Sequence, residues 1–120
     1  ALAQGPKEPE IPLALGFSYY HQGKYDAAIN LWYEALAIAA EQNFSQAYQA
    51  QMYAGLALSI YHLSQQQPES ERDILLGKAK KLRAIALDLD SKDLQPRALQ
   101  DNWLWFPEAI TTWQTLLNLK

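Results

Sequence analysis

An all-α chain of stacked helical hairpins is predicted, and three observations predict it. Apolar residues recur at three- and four-residue spacing along most of the 120 residues. The chain is rich in Ala, Leu and Gln with only 5 glycines and 6 prolines, a composition that favours helix over an all-β design. The stretch Ala28–Leu36 is echoed by Ala109–Leu117, so a helical unit recurs along the chain.

The length suits a single domain, placed at residues 10–120 behind a loose lead-in at 1–9 that carries three charges and two prolines with its next residue. With 49% apolar and 19% charged residues the chain has enough to bury and is too apolar for a disordered segment. A chain of this size hides about 65–70% of its unfolded surface, so it needs neither metal nor disulfide. The absence of cysteine excludes zinc ribbons, iron–sulfur sites and thiol nucleophiles, and leaves the redox compartment open. A net charge of −3 is the wrong sign for a general phosphate-backbone binder. No window holds the roughly 18 continuous apolar residues of a membrane span. The start Ala1-Leu2-Ala3-Gln4 has the small-x-small form of a signal-cleavage scar, which leaves room for an exported protein or an upstream anchor beside the default cytoplasmic expectation.

Taken in order, Ile11, Leu15 and Tyr19 with Leu13, Phe17 and Tyr20 space a first helix over 10–22, stopped by Gly23. Ala28, Ile29, Trp32, Ala35, Leu36 and Ala39 give the single apolar stripe of a second helix over 25–42. Asn43 and Ser45 offer capping oxygens for a third, reaching His62 or Ser64. Pro68 suits the first turn of a fourth, where Glu69, Glu71 and Asp73 meet the positive end of the dipole, and Leu75 to Leu89 continue its stripe. Ser91 caps an expected helix over Lys92–Asn102, unless Pro96 starts it later, the aromatic corner Trp103–Phe106 follows, and Pro107 opens a last helix to about Leu117. The hairpins are therefore expected at about 10–42, 44–90 and 92–118.

Hairpins repeated in this way stack to bury faces that no single copy can cover. The small-then-large pattern Ala28/Trp32/Ala35 returns as Ala109/Trp113, while the middle copy keeps Ala79 and Ala86 but has Arg83 where the tryptophans stand. The run Leu15-Gly16, Tyr19, Gly23, Tyr25, Ala28, Trp32 and Ala35 resembles the tetratricopeptide repeat, a helix-turn-helix unit of about 34 residues. The tryptophan that often opens this repeat would fall at Pro12. The second copy keeps Gly55 and the close Ala86–Asp90 but is stretched, the interval from Gly55 to Ala79 being twice that from Gly16 to Ala28. The third lacks a Leu-Gly pair and is expected to be a capping hairpin.

That resemblance implies a right-handed superhelix in which Gly16, Tyr19, Ala28, Trp32, Ala35, Gly55, Ala79, Ala86, Ala109 and Trp113 pack repeat against repeat. It also implies a concave groove on the first helix of each pair, lined by Leu13, Phe17, Tyr20, His21, Gln49, Met52, Leu56 and Ser59. Family members that clamp a chaperone's C-terminal carboxylate use Lys, Asn and Arg there; Leu13 and Phe17 fill two of those places, so an apolar or amphipathic segment is the better client.

Catalytic chemistry is thinly supplied. His21 and His62 are the only histidines, in no metal-binding spacing, and nucleotide-cradling or nucleophile-elbow motifs are absent, so no cofactor, metal or catalytic residue is expected. Lys78, Lys80, Lys81 and Arg83 form the one basic run; on a net acidic chain a solvated, ion-paired face is favoured over nucleic acid. Trp103, Trp105 and Phe106 are expected to fold as a lid over the last hairpin, the alternative being an exposed docking patch. The functional expectation is a protein-interaction module of scaffold, assembly-factor or co-chaperone type. Its alternatives are a self-associating structural oligomer, and a small-ligand binder or enzyme using His21 and the groove tyrosines.

Overall fold

A computed structural model describes residues 10–120, and the expected lead-in at 1–9 lies outside them. Six helices follow in order: α1 (Glu10–His21), α2 (Tyr25–Ala37), α3 (Gln46–Ser64), α4 (Glu69–Asp90), α5 (Pro96–Leu99) and α6 (Pro107–Asn118). No strand occurs among the described residues. The chain is an all-α, tetratricopeptide-like set of helical hairpins.

The first hairpin turns where glycine is required. Gly23 takes φ 78°, a left-handed conformation that costs a side-chain-bearing residue energy. Its N–H donates to Tyr20 O at 3.0 Å and that of Lys24 donates to Tyr19 O at 2.9 Å, closing a Schellman motif. The same motif recurs before α3. α2 stops at Ala37, short of the expected Gln42, and hydrogen-bonded turns carry the chain to Asn43, whose φ of 56° reverses it. Asn43 N–H donates to Ala40 O at 3.3 Å and Phe44 N–H to Ala39 O at 3.0 Å, and the Phe44 ring is buried. Asn43 thus makes the turn, and Ser45 caps α3 by accepting from Tyr48 N at 3.3 Å.

α3 is the central rod, with Met52 and Ala54–Ile60 all buried. It packs on α1, α2 and α6 and most extensively on α4. The two hairpins lock through Trp32. The ring is fully buried, and a methyl group added at Gly16 of α1 or Gly55 of α3 would overlap it. Both glycines are therefore required for close approach of helix to indole. The indole N–H has no acceptor among the described residues, so shape and dispersion alone hold the wedge.

The third pair departs from expectation. In place of a helix over Lys92–Asn102 there is a single helical turn, Pro96–Leu99. Pro96 pushes the preceding Gln95 to ψ 139°, out of helical space, so helix cannot start before it. Ser91 remains in helical backbone as the C-cap of α4, and Asp90 Oδ1 accepts from Asp93 N at 3.3 Å instead of Ser91 acting as an N-cap. Asn102 then turns the chain, its Oδ1 accepting from Leu104 N at 3.0 Å. α6 packs against α3, α4 and α5. Its Trp113 is fully buried and donates from Nε1 to Leu94 O at 2.8 Å.

The basic run acquires a structural use at the far end of α6. Arg83 donates from one guanidinium nitrogen to Leu116 O, and to Leu119 O at 2.8 Å, while Lys80 Nζ donates to Lys120 O at 2.7 Å. Cations thus satisfy the terminal carbonyls, where the helix dipole is negative. Arg83 stands where the other copies have tryptophan because it reaches for backbone carbonyls instead of filling a gap. Lys78 and Lys81 remain exposed.

Candidate functional site

The chain covers its own groove face. After Asn102, whose side-chain amide donates to Gln51 Oε1 at 2.9 Å, residues Leu104 and Trp105 turn inward and are buried. Trp105 meets Phe17 of α1 at 5.2 Å between ring centroids and Trp113 of α6 at 6.0 Å, and its Nε1 donates to Gln51 Oε1 at 3.3 Å. His21 Nε2 lies 3.0 Å from Leu104 O, which fixes the imidazole proton on Nε2. Phe106 stacks on the same imidazole at 3.8 Å, nearly parallel. Trp105 therefore closes over α1 as well as over α6 while Trp103 and Phe106 stay exposed, which corrects the expected three-ring lid on the last hairpin.

This cover also corrects the expectation of an open groove. Leu13, Phe17, Tyr20, Met52, Leu56 and Ser59 are buried, and His21 and Gln49 are half-buried. The physical reason is in the sequence itself: an apolar face with no polar rim is unstable in water, and the chain supplies Leu104 and Trp105 to cover Phe17. Phe17→Glu, tolerable at an open groove position, would here bury a charge beside Trp32 and Trp105. Tyr19 is half-buried on α1, while Gly16, Ala28, Ala35, Gly55, Ala79, Ala86 and Ala109 lie inside, between helices.

What stays open is the edge of that cover. A cleft of about 340 Å³ runs between α1 and the corner, lined by Ala14, Phe17, Ser18, His21, Trp103 and Phe106 among others. Its rim carries two large exposed rings, Trp103 at 69% exposure and Phe106 at 52%. Phe17 forms the apolar floor, and Ser18 and Gln22 supply polar edges.

On the other side of His21 lies a second, smaller cavity of about 90 Å³, lined by Tyr20, His21, Tyr25, His62, Glu108 and Thr112. It is built by four helices. Gly23 reverses the chain so that Tyr20 and Tyr25 face each other at 5.6 Å. His62, near the end of α3, stacks flat on Tyr25 at 4.8 Å, and its Nε2 lies 2.9 Å from the Tyr20 hydroxyl. Burial pushes the Tyr20 phenol up and holds the His62 imidazole below the ordinary histidine range. The hydroxyl and the imidazole thus share one hydrogen bond at a partly buried position. No local pattern announces this cluster, because its members come from helices distant in sequence.

The depressed His62 value carries a pH dependence with a definite sign. Unfolded, the ring ionises near 6.5 and takes up a proton that the folded ring resists. Below about pH 6.5 the unfolded state therefore binds more protons, and stability falls as pH falls. Thermal unfolding should lose more between neutral pH and about pH 5.5 in wild type than in His62→Gln; parallel curves would show that His62 does not carry this dependence.

Among the described residues, no group of three or more His, Cys, Asp or Glu is placed to hold a metal ion. Among the same residues, no helix is long and apolar enough to cross a membrane. Residues 14–43, from α1 through α2 to the Asn43 turn, match the family profile of the tetratricopeptide repeat. No curated protein and no solved structure matches the chain.

Proposed function

Because residues 14–43 are a tetratricopeptide repeat, the helical unit of protein-interaction modules, we propose that this chain binds a partner protein through the cleft between α1 and the aromatic corner. The single observation that carries the reading is the pair of exposed rings, Trp103 and Phe106, on the rim of an apolar cleft of about 340 Å³. Large aromatic side chains left in water beside a concave apolar floor are what an interface hot spot requires. The partner would insert an apolar or aromatic side chain over Phe17, in a scaffold, assembly-factor or co-chaperone role. Leu13 and Phe17 offer no cation for a terminal carboxylate, so recognition runs through burial and not through charge.

Trp103→Glu and Phe106→Glu test this directly, since both positions are exposed. Trp103→Glu should leave the melting temperature within about 2 °C of wild type, as surface changes do, Phe106→Glu should lower it further by losing the stack on His21, and both should abolish capture of the partner from a native extract. Undiminished capture by both variants would refute the cleft as the contact. A concentration-dependent mass that disappears in the same variants would assign the surface to a second copy of the chain.

A further inference from the structure

We propose that the small cavity among Tyr20, Tyr25, His62 and Glu108 binds an alkylammonium group, held over the aromatic rings and against the carboxylate. The walls come from every helix packed there: Tyr20 and His21 from α1, Tyr25 from α2, His62 from α3, Glu108 and Thr112 from α6. The rings stand at different inclinations. His62 and Tyr25 are parallel at 4.8 Å, whereas Tyr20 is tilted by 55° to His62 and by 59° to Tyr25. Three aromatic rings thus line one small volume beside a carboxylate, a lining that suits a cation with a greasy periphery.

The charge around the cavity has one sign. Among the described residues, Glu108 is the only acidic side chain lining it, and no lysine or arginine does. Glu108 is exposed while Tyr20 is buried, so the carboxylate stands at the rim and the rings lie below. Burial chiefly raises the Tyr20 phenol, the Thr112 hydrogen bond lowers it, and the negative potentials of Tyr25 and Glu108 add smaller rises. The potential that disfavours a phenolate favours a cation in the same place. His62, held below the ordinary histidine range by burial, adds no opposing charge at neutral pH.

Size limits the occupant to a headgroup. At about 90 Å³ the cavity is far smaller than the roughly 300–1,000 Å³ of ordinary small-molecule sites. A quaternary ammonium, or the ammonium tip of a lysine side chain, free or methylated, fits this chemistry; a nucleotide or sugar does not. The inference goes beyond the partner cleft and does not depend on it, although the two cavities share His21.

The probe is choline, titrated into the full chain with the His62 ring proton followed by NMR. Its neutral isostere 3,3-dimethylbutan-1-ol serves as the control. A saturable shift is expected with choline and binding at least about tenfold weaker with the alcohol, a gap of 1.4 kcal/mol. Glu108→Gln, at an exposed position, should weaken choline about tenfold with the melting temperature retained. Trp103→Glu should leave the titration unchanged, which separates this site from the partner cleft. A blocked trimethyl-lysine that binds more tightly than choline assigns the site to a partner's modified side chain, and the reverse order assigns it to a free amine. Equal binding of choline and the alcohol, no saturable shift with any cation, or an unchanged Glu108→Gln variant would overturn the proposal.

Discussion

Trp32→Ala should cost about 3–5 kcal/mol of folding stability in urea unfolding, a large share of what holds a domain of this size together. The ring is fully buried at the junction of three helices, edge-on to Phe17 at 5.1 Å and against the bare backbone of Gly16 and Gly55. Glycine leaves no side chain that could swing in to fill the space. The cavity therefore stays open and the penalty is near the upper part of the range for a large-to-small change. The loss comes from packing alone, since the indole N–H has no acceptor among the described residues. A cost under about 1 kcal/mol would mean that α1 and α3 are not joined through this ring.

Trp113→Ala is expected to be comparably damaging, about 3–5 kcal/mol, for a different mix of reasons. This ring packs against Trp105 at 6.0 Å, and its Nε1 donates to Leu94 O at 2.8 Å, tying α6 to the turn after α4. Removing it opens a cavity and orphans a carbonyl. Trp113→Phe separates the two effects: it keeps most of the ring and loses the hydrogen bond, and should cost about 1–3 kcal/mol. A phenylalanine variant as stable as wild type would show that the Leu94 carbonyl is satisfied some other way.

The first two hairpins were readable because their signals are local. Period and caps coincide at Gly23, where the backbone must turn left-handed, and at Ser45, where a hydroxyl meets a free N–H. The third pair was less readable because two rules compete over the same residues. Ser91 reads as a cap for a helix from Lys92, whereas Pro96 forbids one before itself, and the backbone constraint wins. Arg83 read as part of a charged run, and only the return of α6 past α4 turns it into a cap for Leu116 and Leu119.

The candidate site was the least legible part. Leu13, Phe17, Met52 and Leu56 mark a continuous apolar face, but not that Trp105 covers Phe17 from a position far along the chain. The surplus of aromatic residues was the available signal, since 4 tryptophans in 120 residues need apolar partners. Which rings stay in water, Trp103 and Phe106, depends on how Asn102 turns the backbone, and nothing in the local pattern states that. The cluster at His62 is more remote still, because Tyr20, Tyr25 and Glu108 meet it only after four helices have docked.

The wedge that joins the hairpins, and so presents the α1 face on which the cleft stands, is tested most directly by a double-mutant cycle between Trp32→Ala and Gly55→Ala. In wild type Gly55→Ala drives a methyl group into the indole and should cost about 1–3 kcal/mol or more. With the indole removed, the same methyl enters vacant space, so in the Trp32→Ala background the change should be neutral or stabilising. A cost of Gly55→Ala that is the same in both backgrounds would contradict the wedge, and with it the way the two hairpins are held together.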